Sequence, residues 1–279
     1  MIKRICLLFF VSLCCHAEQL VPAEMRNQDI QRGFPEHQYR QLEAGEQRFA
    51  ALFSEHTIPN NMGVAILVND FSLSHLGNQS LGPLARHLND EGWVTLVITA
   101  PEIELYAVQE SGDSEDAAEQ PKSIQPIEPA SILSTEQYER FETLISERVD
   151  AAIQFTQNYP GFVLVISQGS SAAALLNHYA QQQTGLPDAL VTVSPYWPEP
   201  ARNHQLAEKM AGLTIPVLDI YNRWNNAWTL SQRQQRLIAA EKALKMHYRQ
   251  REIVGTDLYA HQYPYIAKEV QGWLIHMGW

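Results

Sequence analysis

The residues with the most chemical potential lie in Phe162 to Leu176, FVLVISQGSSAAALL, where an apolar run breaks into a small-residue turn and then an alanine-rich stretch. A serine at such a strand-to-helix turn is presented as an acyl-transfer nucleophile. The positions two before and two after it must be small, because the sharp turn leaves no room for side chains there. Two registers meet that rule. In one, Ser167 and Ser171 are the flanks and Gly169 stands at the nucleophile position; in the other, Gly169 and Ala173 are the flanks and Ser171 is the nucleophile. The apolar run ends at Ile166, which favours the first register. The second asks Ser167 and Gln168 to prolong the strand and drops Ser171 into the first helical turn. Ser170 fits least, with Gln168 as its flank.

A serine nucleophile also needs a base and a group to orient that base. His261 follows the last strand-like run and suits a general base near neutral pH. Asp219 precedes it in the chain but falls inside an apolar run, VLDIYN. The residues after that run, Asn222, Arg223, Trp224 and Asn225, include no carboxylate, whereas Thr256 and Asp257 lie just before His261. Asp219 therefore reads either as the orienting acid or as a structural carboxylate. Asn69 and Asp70 end the run GVAILVND and Phe71 follows it; with Gln168 and Gly169 they read as the region whose backbone N–H groups would hold an oxyanion, or, for the first three, as an ordinary turn. Tyr196, Trp197 and Trp224 follow two further strands and read as the rim of an apolar or sugar-stacking pocket, or as packing among loops. The other histidines show no metal-ligand spacing, and there is no glycine-rich phosphate loop. No metal and no cofactor are expected.

The elements that must position these residues alternate. GVAILVND, VTLVITAPE, FVLVIS, ALVTVSPYW, PVLDIYN and KMHYRQREIVG read as strands, several apolar throughout, as parallel strands covered on both faces are. Between them LGPLARHLNDEGW, a helix from Ser134 to about Tyr159 with a Ser134/Gln137 capping box, SAAALLNHYAQQQTG, NHQLAEKMAGL and LSQRQQRLIAAEKAL read as helices, and QYPYIAKEVQGWLIHMGW closes the chain. That alternation predicts an α/β fold with a doubly wound, mostly parallel sheet and right-handed crossovers. LEAGEQRFAALF reads equally as a helix or as a hairpin turning at Ala44-Gly45-Glu46.

Residues 1–17, MIKRICLLFFVSLCCHA, have a basic start, a short apolar core and a small residue at the end. They are expected to be a signal peptide removed after Ala17, which places the mature protein in a periplasm. The apolar run falls short of the ~20 residues a membrane span needs, so the mature chain is expected to have no transmembrane segment. All three cysteines, Cys6, Cys14 and Cys15, fall inside that segment. Residues 18–37 read as a tail and 38–279 as one domain, interrupted at 103–133 by an acidic, proline-bearing insertion. The chain carries 20 Lys and Arg against 31 Asp and Glu, a net charge of −11. No basic patch points to nucleic acid.

Taken together, LEAGEQRFAALF, GVAILVND, GPLARHLNDEGWVTLVITAP, PVLDIYNRW and YRQREIVGTDLYAHQ…EVQGWL resemble the α/β-hydrolase superfamily. More closely, they resemble an uncharacterised bacterial envelope family, a domain of unknown function related to those hydrolases. The resemblance runs from about residue 38 to the C-terminus. It implies an antiparallel edge hairpin at the first of these segments. By position it sets Gly169 on the nucleophile site, Asp219 on an acidic strand residue and His261 near the triad histidine. Two expectations follow. The first is a periplasmic α/β-hydrolase-like protein without a working nucleophile, binding a small-molecule ligand or an envelope partner. The second is a serine ester or acyl hydrolase using Ser171 or Ser170 with His261 and Asp219.

Overall fold

The computed structural model describes residues 22–71, 79–101, 133–182, 184–255 and 261–279. In chain order, α1 (Pro22–Gly33) leads to β1 (Tyr39–Ala44), β2 (Gln47–Ser54), β3 (Gly63–Val68), α2 (Leu84–Asn89) and β4 (Trp93–Ile98). Then come α3 (Thr135–Thr156), β5 (Phe162–Gln168), α4 (Gly169–Gln181), β6 (Ala189–Val193) and α5 (Pro200–Gly212). The chain ends with β7 (Val217–Asn222), α6 (Ala227–Lys242), β8 (Tyr248–Ile253) and α7 (Tyr263–His276). The strands form one sheet in the order β1-β2-β4-β3-β5-β6-β7-β8. β2 runs antiparallel to both of its neighbours, and every pair from β4 across to β8 is parallel. This is the expected doubly wound, mostly parallel sheet.

The ambiguous segment before the first parallel strand is the hairpin. Leu42, Phe49 and Phe53, which look like part of a helical face in sequence, are alternate inward positions on β1 and β2, and the chain reverses at Gly45 with φ +57°. Glycine takes that left-handed conformation without a steric penalty.

Alternation along the central strands feeds two cores. Val64, Ile66 and Val68 of β3 and Leu96 of β4 face a layer that includes α3, α4 and α5. Ala65, Leu67, Leu164 and Ile166 face the other layer, with α2 and α7. Both faces of β3 and β4 are buried, which explains why these strands are apolar without a polar alternation. α3 begins with the expected capping box, in which Ser134 Oγ accepts from the Gln137 N–H and Gln137 Oε1 accepts from the Ser134 N–H. The stretch expected to be a tail holds α1, which buries Ile30 and ties to β2 through Asn27 Oδ1, an acceptor for the Ala50 N–H at 2.9 Å. The signal segment and nearly all of the 103–133 insertion lie outside the described residues.

One polar cluster stands inside this packing. Thr192, Asp219 and Gln250 are direct neighbours across β6, β7 and β8. Asp219 Oδ2 accepts from Arg236 Nε of α6 at 2.8 Å, from Gln250 Nε2 at 2.8 Å and from Tyr248 OH at 3.3 Å, while Thr192 Oγ1 donates to Oδ1 at 3.2 Å. Both charged side chains are 0% exposed. Removing one member of such a pair strands the other charge, at a cost of about 3–5 kcal/mol. Arg236→Met is expected to lower the unfolding free energy in urea by about that amount. Combining it with Asp219→Asn, which removes both charges, is expected to recover most of the loss.

Candidate functional site

β5 runs two residues beyond its apolar stretch, through Ser167 and Gln168, and the chain then turns into α4 at Gly169 with φ +60°. The sequence-based end of that strand at Ile166 is thus short, because Ser167 and Gln168 still pair with Thr192 and Val193 of β6 and the ladder outlasts the apolar run. The strand end therefore no longer favours Gly169 over Ser171 at the elbow; the left-handed backbone at Gly169 is what marks it as the turn residue. The conformation at Gly169 is ordinary for glycine and strained for any residue with a Cβ.

The space above that turn is already filled. A Cβ on Gly169 would lie 2.2 Å from Asp70 Oδ2. Asp70 follows β3, and its Oδ1 accepts from the backbone N–H of Phe71 at 2.8 Å and of Ser170 at 2.9 Å. The Tyr196 hydroxyl donates to Oδ2 at 3.2 Å. A carboxylate oxygen therefore sits where an N–H of the loop after β3 and the N–H one residue past the elbow converge. Those are the two kinds of donor that hold the oxyanion in α/β-hydrolases. Asp70 is 6% exposed. Burial pushes its carboxyl up from 3.8 to about 6, against the lowering effect of the Phe71, Ser170 and Tyr196 donors. Burial, reinforced by the Asp70 charge, also pushes the Tyr196 phenol above its ordinary range.

Of the other residues singled out in the sequence, Ser170, Ser171 and Asn69 gather beside Asp70, whereas Asp219, His261 and Trp197 do not line the cavity described below. Ser171 lies in the first turn of α4, is 0% exposed, and donates its hydroxyl to the Asn69 carbonyl at 2.8 Å. Ser170 is buried beside it. Asn69 is buried as well, and its Oδ1 accepts from the Leu81 N–H at 2.7 Å, which holds the start of the α2 segment against the end of β3. Asp219 is engaged with Arg236 inside the sheet. His261 is exposed, and the adjacent Gln262 rather than His261 contributes to the cavity described below. Thr256 and Asp257 lie outside the described residues. Trp197 does not reach the rim, because its ring packs edge-on against Tyr138 at 5.2 Å and Phe141 at 6.0 Å. Phe71 packs against the same Phe141 ring at 6.4 Å.

A cavity of about 240 Å³ opens over the carboxyl ends of β5 to β8, with Asp70 and Gly169 among its lining residues. This is where ligands sit in open parallel sheets. Tyr196 and Trp224 line it, and the rest of its polar surface is largely amide: Gln168, Asn222, Asn225 and Asn226, joined by Gln79 and Gln262. The amides are fixed from behind. Asn222 Oδ1 accepts from the Trp224 N–H at 2.8 Å, and Asn226 Oδ1 caps α6 through the Thr229 N–H at 2.8 Å. Asn225 Nδ2 donates to Ser194 Oγ. Ser194 has φ +54°, uncommon for a residue with a side chain, and such strain clusters at functional sites. Asn226, Ser194, Gln79 and Gln262 escape a search for catalytic residue types. The Asn-Arg-Trp-Asn-Asn run after β7 points to Asn226, while Ser194, Gln79 and Gln262 carry no such local signal. Among the described residues, no group of three His, Cys, Asp or Glu side chains could hold a metal ion, and no helix is long and apolar enough to cross a membrane.

No curated protein matches the chain in sequence. Solved structures do match in fold. An esterase domain from Rhodothermus marinus is 12% identical with a TM-score of 0.54, covering 84% of this chain and 96% of that one. Est1E from Butyrivibrio proteoclasticus is 13% identical with a TM-score of 0.56, over 85% and 98% of the two chains. A dienelactone hydrolase from Anabaena variabilis is 15% identical with a TM-score of 0.56, over 86% and 99%. At such identities the likeness establishes the α/β-hydrolase fold alone. The model of the family described as protein of unknown function DUF3530 matches residues 19–275, and the chain belongs to that family, on an α/β-hydrolase scaffold.

Proposed function

We propose that this is a periplasmic protein that binds a ligand in the cleft of an α/β-hydrolase fold and does not hydrolyse it through a serine. The observation that carries this reading is the contact between Asp70 and Gly169. The elbow residue has no side chain, and the carboxylate of Asp70 takes both of the N–H donors that a tetrahedral oxyanion would need. An anion already seated there repels a second one, and the electrostatic stabilisation that dominates acyl-transfer catalysis is spent on the protein's own side chain. The periplasmic assignment rests on the N-terminal segment ending at Ala17.

The direct test is an activated-serine probe and p-nitrophenyl ester turnover, applied to the mature protein beginning at Glu18. Neither labelling nor turnover above the uncatalysed rate is expected. Labelling that disappears on Ser171→Ala would overturn the reading.

Two variants examine the Asp70–Gly169 contact itself. Gly169→Ser is expected to lower thermal stability, with about 1–3 kcal/mol from the left-handed backbone alone and more from displacing the carboxylate, and to create no esterase. Asp70→Asn is expected to change how stability depends on pH. The folded carboxyl titrates at about 6, above its ordinary 3.8, so the native state binds its proton more tightly than the unfolded chain. The resulting stabilisation is complete below about pH 4 and is lost as pH rises through about 6, an amount of about 3 kcal/mol. Denaturation of the two proteins between pH 4 and 8 should therefore show the wild type losing about that much relative to Asp70→Asn.

A further inference from the structure

Given a cleft that binds rather than hydrolyses, its lining restricts what it can hold. Among the described residues no lysine, arginine or histidine lines it, and Arg223, next to Trp224, pairs with Glu252 at 2.8 Å. With Asp70 as the one charged group among the described lining residues, a carboxylate or phosphate ligand would meet repulsion there and no counter-charge from them. A purely apolar ligand is disfavoured for the opposite reason. It would strip water from several amides and a carboxylate and give no hydrogen bonds in return.

What the lining does offer is paired donors and acceptors on planar groups. A side-chain amide presents an acceptor and two donors in one plane, so it can bridge adjacent hydroxyls on a ring. Gln168 donates to the Gln79 carbonyl at 2.9 Å, while its Oε1 is buried and has no partner, an acceptor whose desolvation is left uncompensated. Asn226, which also lines the cleft, uses its oxygen for the helix cap, and its NH2 group takes no part in that cap. At the mouth stands Trp224, 67% exposed although it is the largest side-chain type, on a turn fixed by Asn222. An exposed indole at the edge of a polar cleft provides a flat apolar face beside a wet one. The volume of about 240 Å³ lies below the ~300–1,000 Å³ of drug-sized pockets, which suits one ring and not an extended chain.

We infer that the cleft receives a neutral saccharide residue, its apolar ring face on Trp224 and its hydroxyls against Gln168, Asn225, Asn226 and the Asp70 carboxylate. This rests on the reading of the cleft as a binding site. Trp224 and Gln168 determine specificity, the first for a flat ring and the second for a hydroxyl donor.

The test is saturation-transfer NMR and titration calorimetry on the mature protein with a panel of probes. The panel contains neutral hexopyranoses, their N-acetyl derivatives and β-linked disaccharides, the open-chain alditols of the same sugars, and glucuronate. At least one neutral ring sugar should bind saturably at millimolar concentration. Its alditol and glucuronate should bind at least about tenfold more weakly, and Trp224→Ala should weaken it by about tenfold while leaving the melting temperature unchanged. Gln168→Ala should weaken binding without abolishing the ring preference. Absence of binding by every neutral sugar, equal affinity for glucuronate, or an undiminished affinity in Trp224→Ala would overturn the inference. Failure of the underlying reading looks different, because it would appear as ester turnover lost on Ser171→Ala. A protein that binds no sugar and turns over no ester loses only the ligand class.

Discussion

A carboxylate buried to 6% exposure must find donors, and Asp70 finds them in the N–H groups of Phe71 and Ser170. Phe71 adjoins Asp70 in the loop after β3, whereas Ser170, in the first turn of α4, lies 100 residues further along the chain than Asp70. Their joint grip on one oxygen ties the two central strand ends together and sets the floor of the cleft. Ser171 adds a second tie to the same loop through the Asn69 carbonyl, and Tyr196 a third from the β6 side. The donors lower the carboxyl's affinity for a proton, and the loss of water raises it by more, so the group titrates near 6 instead of near 4. The cleft floor is thus held by an interaction whose charge is sensitive to mild acid.

The sheet makes this arrangement possible by bringing β3 and β5 side by side, so that their ends deliver Asp70 and Gly169 to the same spot. Two buried carboxylates of the sheet, with two strands between them, then lead different lives. Asp219, inside β7, is matched by a guanidinium and three further donors and serves the packing of α6 on the strands. Asp70, at the strand end, pairs with no cation among the described residues and borders the cavity. Buried charges with a full set of partners read as architecture, and one held by backbone donors at a cleft reads as part of a site.

Much of the fold was legible because it rests on local rules. The alternating apolar runs and the Ser134/Gln137 capping box are each written within a few residues. The hairpin at 39–54 was not, since Leu42, Phe49 and Phe53 satisfy both periods until β4 is placed beside β2. The site was legible only at its edges. Gly169 stands out against the spacing a nucleophile demands, and Trp224 stands out as an aromatic after a strand. That Asp70 fills the space Gly169 leaves depends on two residues nearly a hundred positions apart, and no pattern in a single sequence records such complementarity of volume. The burial of Trp197 and the Asp219–Arg236 pair are equally long-range, each decided by which helix covers which strand.

The 2.2 Å separation between Asp70 Oδ2 and a Cβ built on Gly169 also imposes an order of events. A chain with serine at 169 has no room for the Asp70 carboxylate in its present seat, whereas a chain with glycine at 169 accepts either a small residue or aspartate at 70. A route by single substitutions between a serine-bearing elbow and this arrangement is least costly through the glycine. The reverse route is least costly when position 70 is vacated before a serine returns. The pair works as a ratchet: once the carboxylate is seated, a single reversion at 169 meets a filled space.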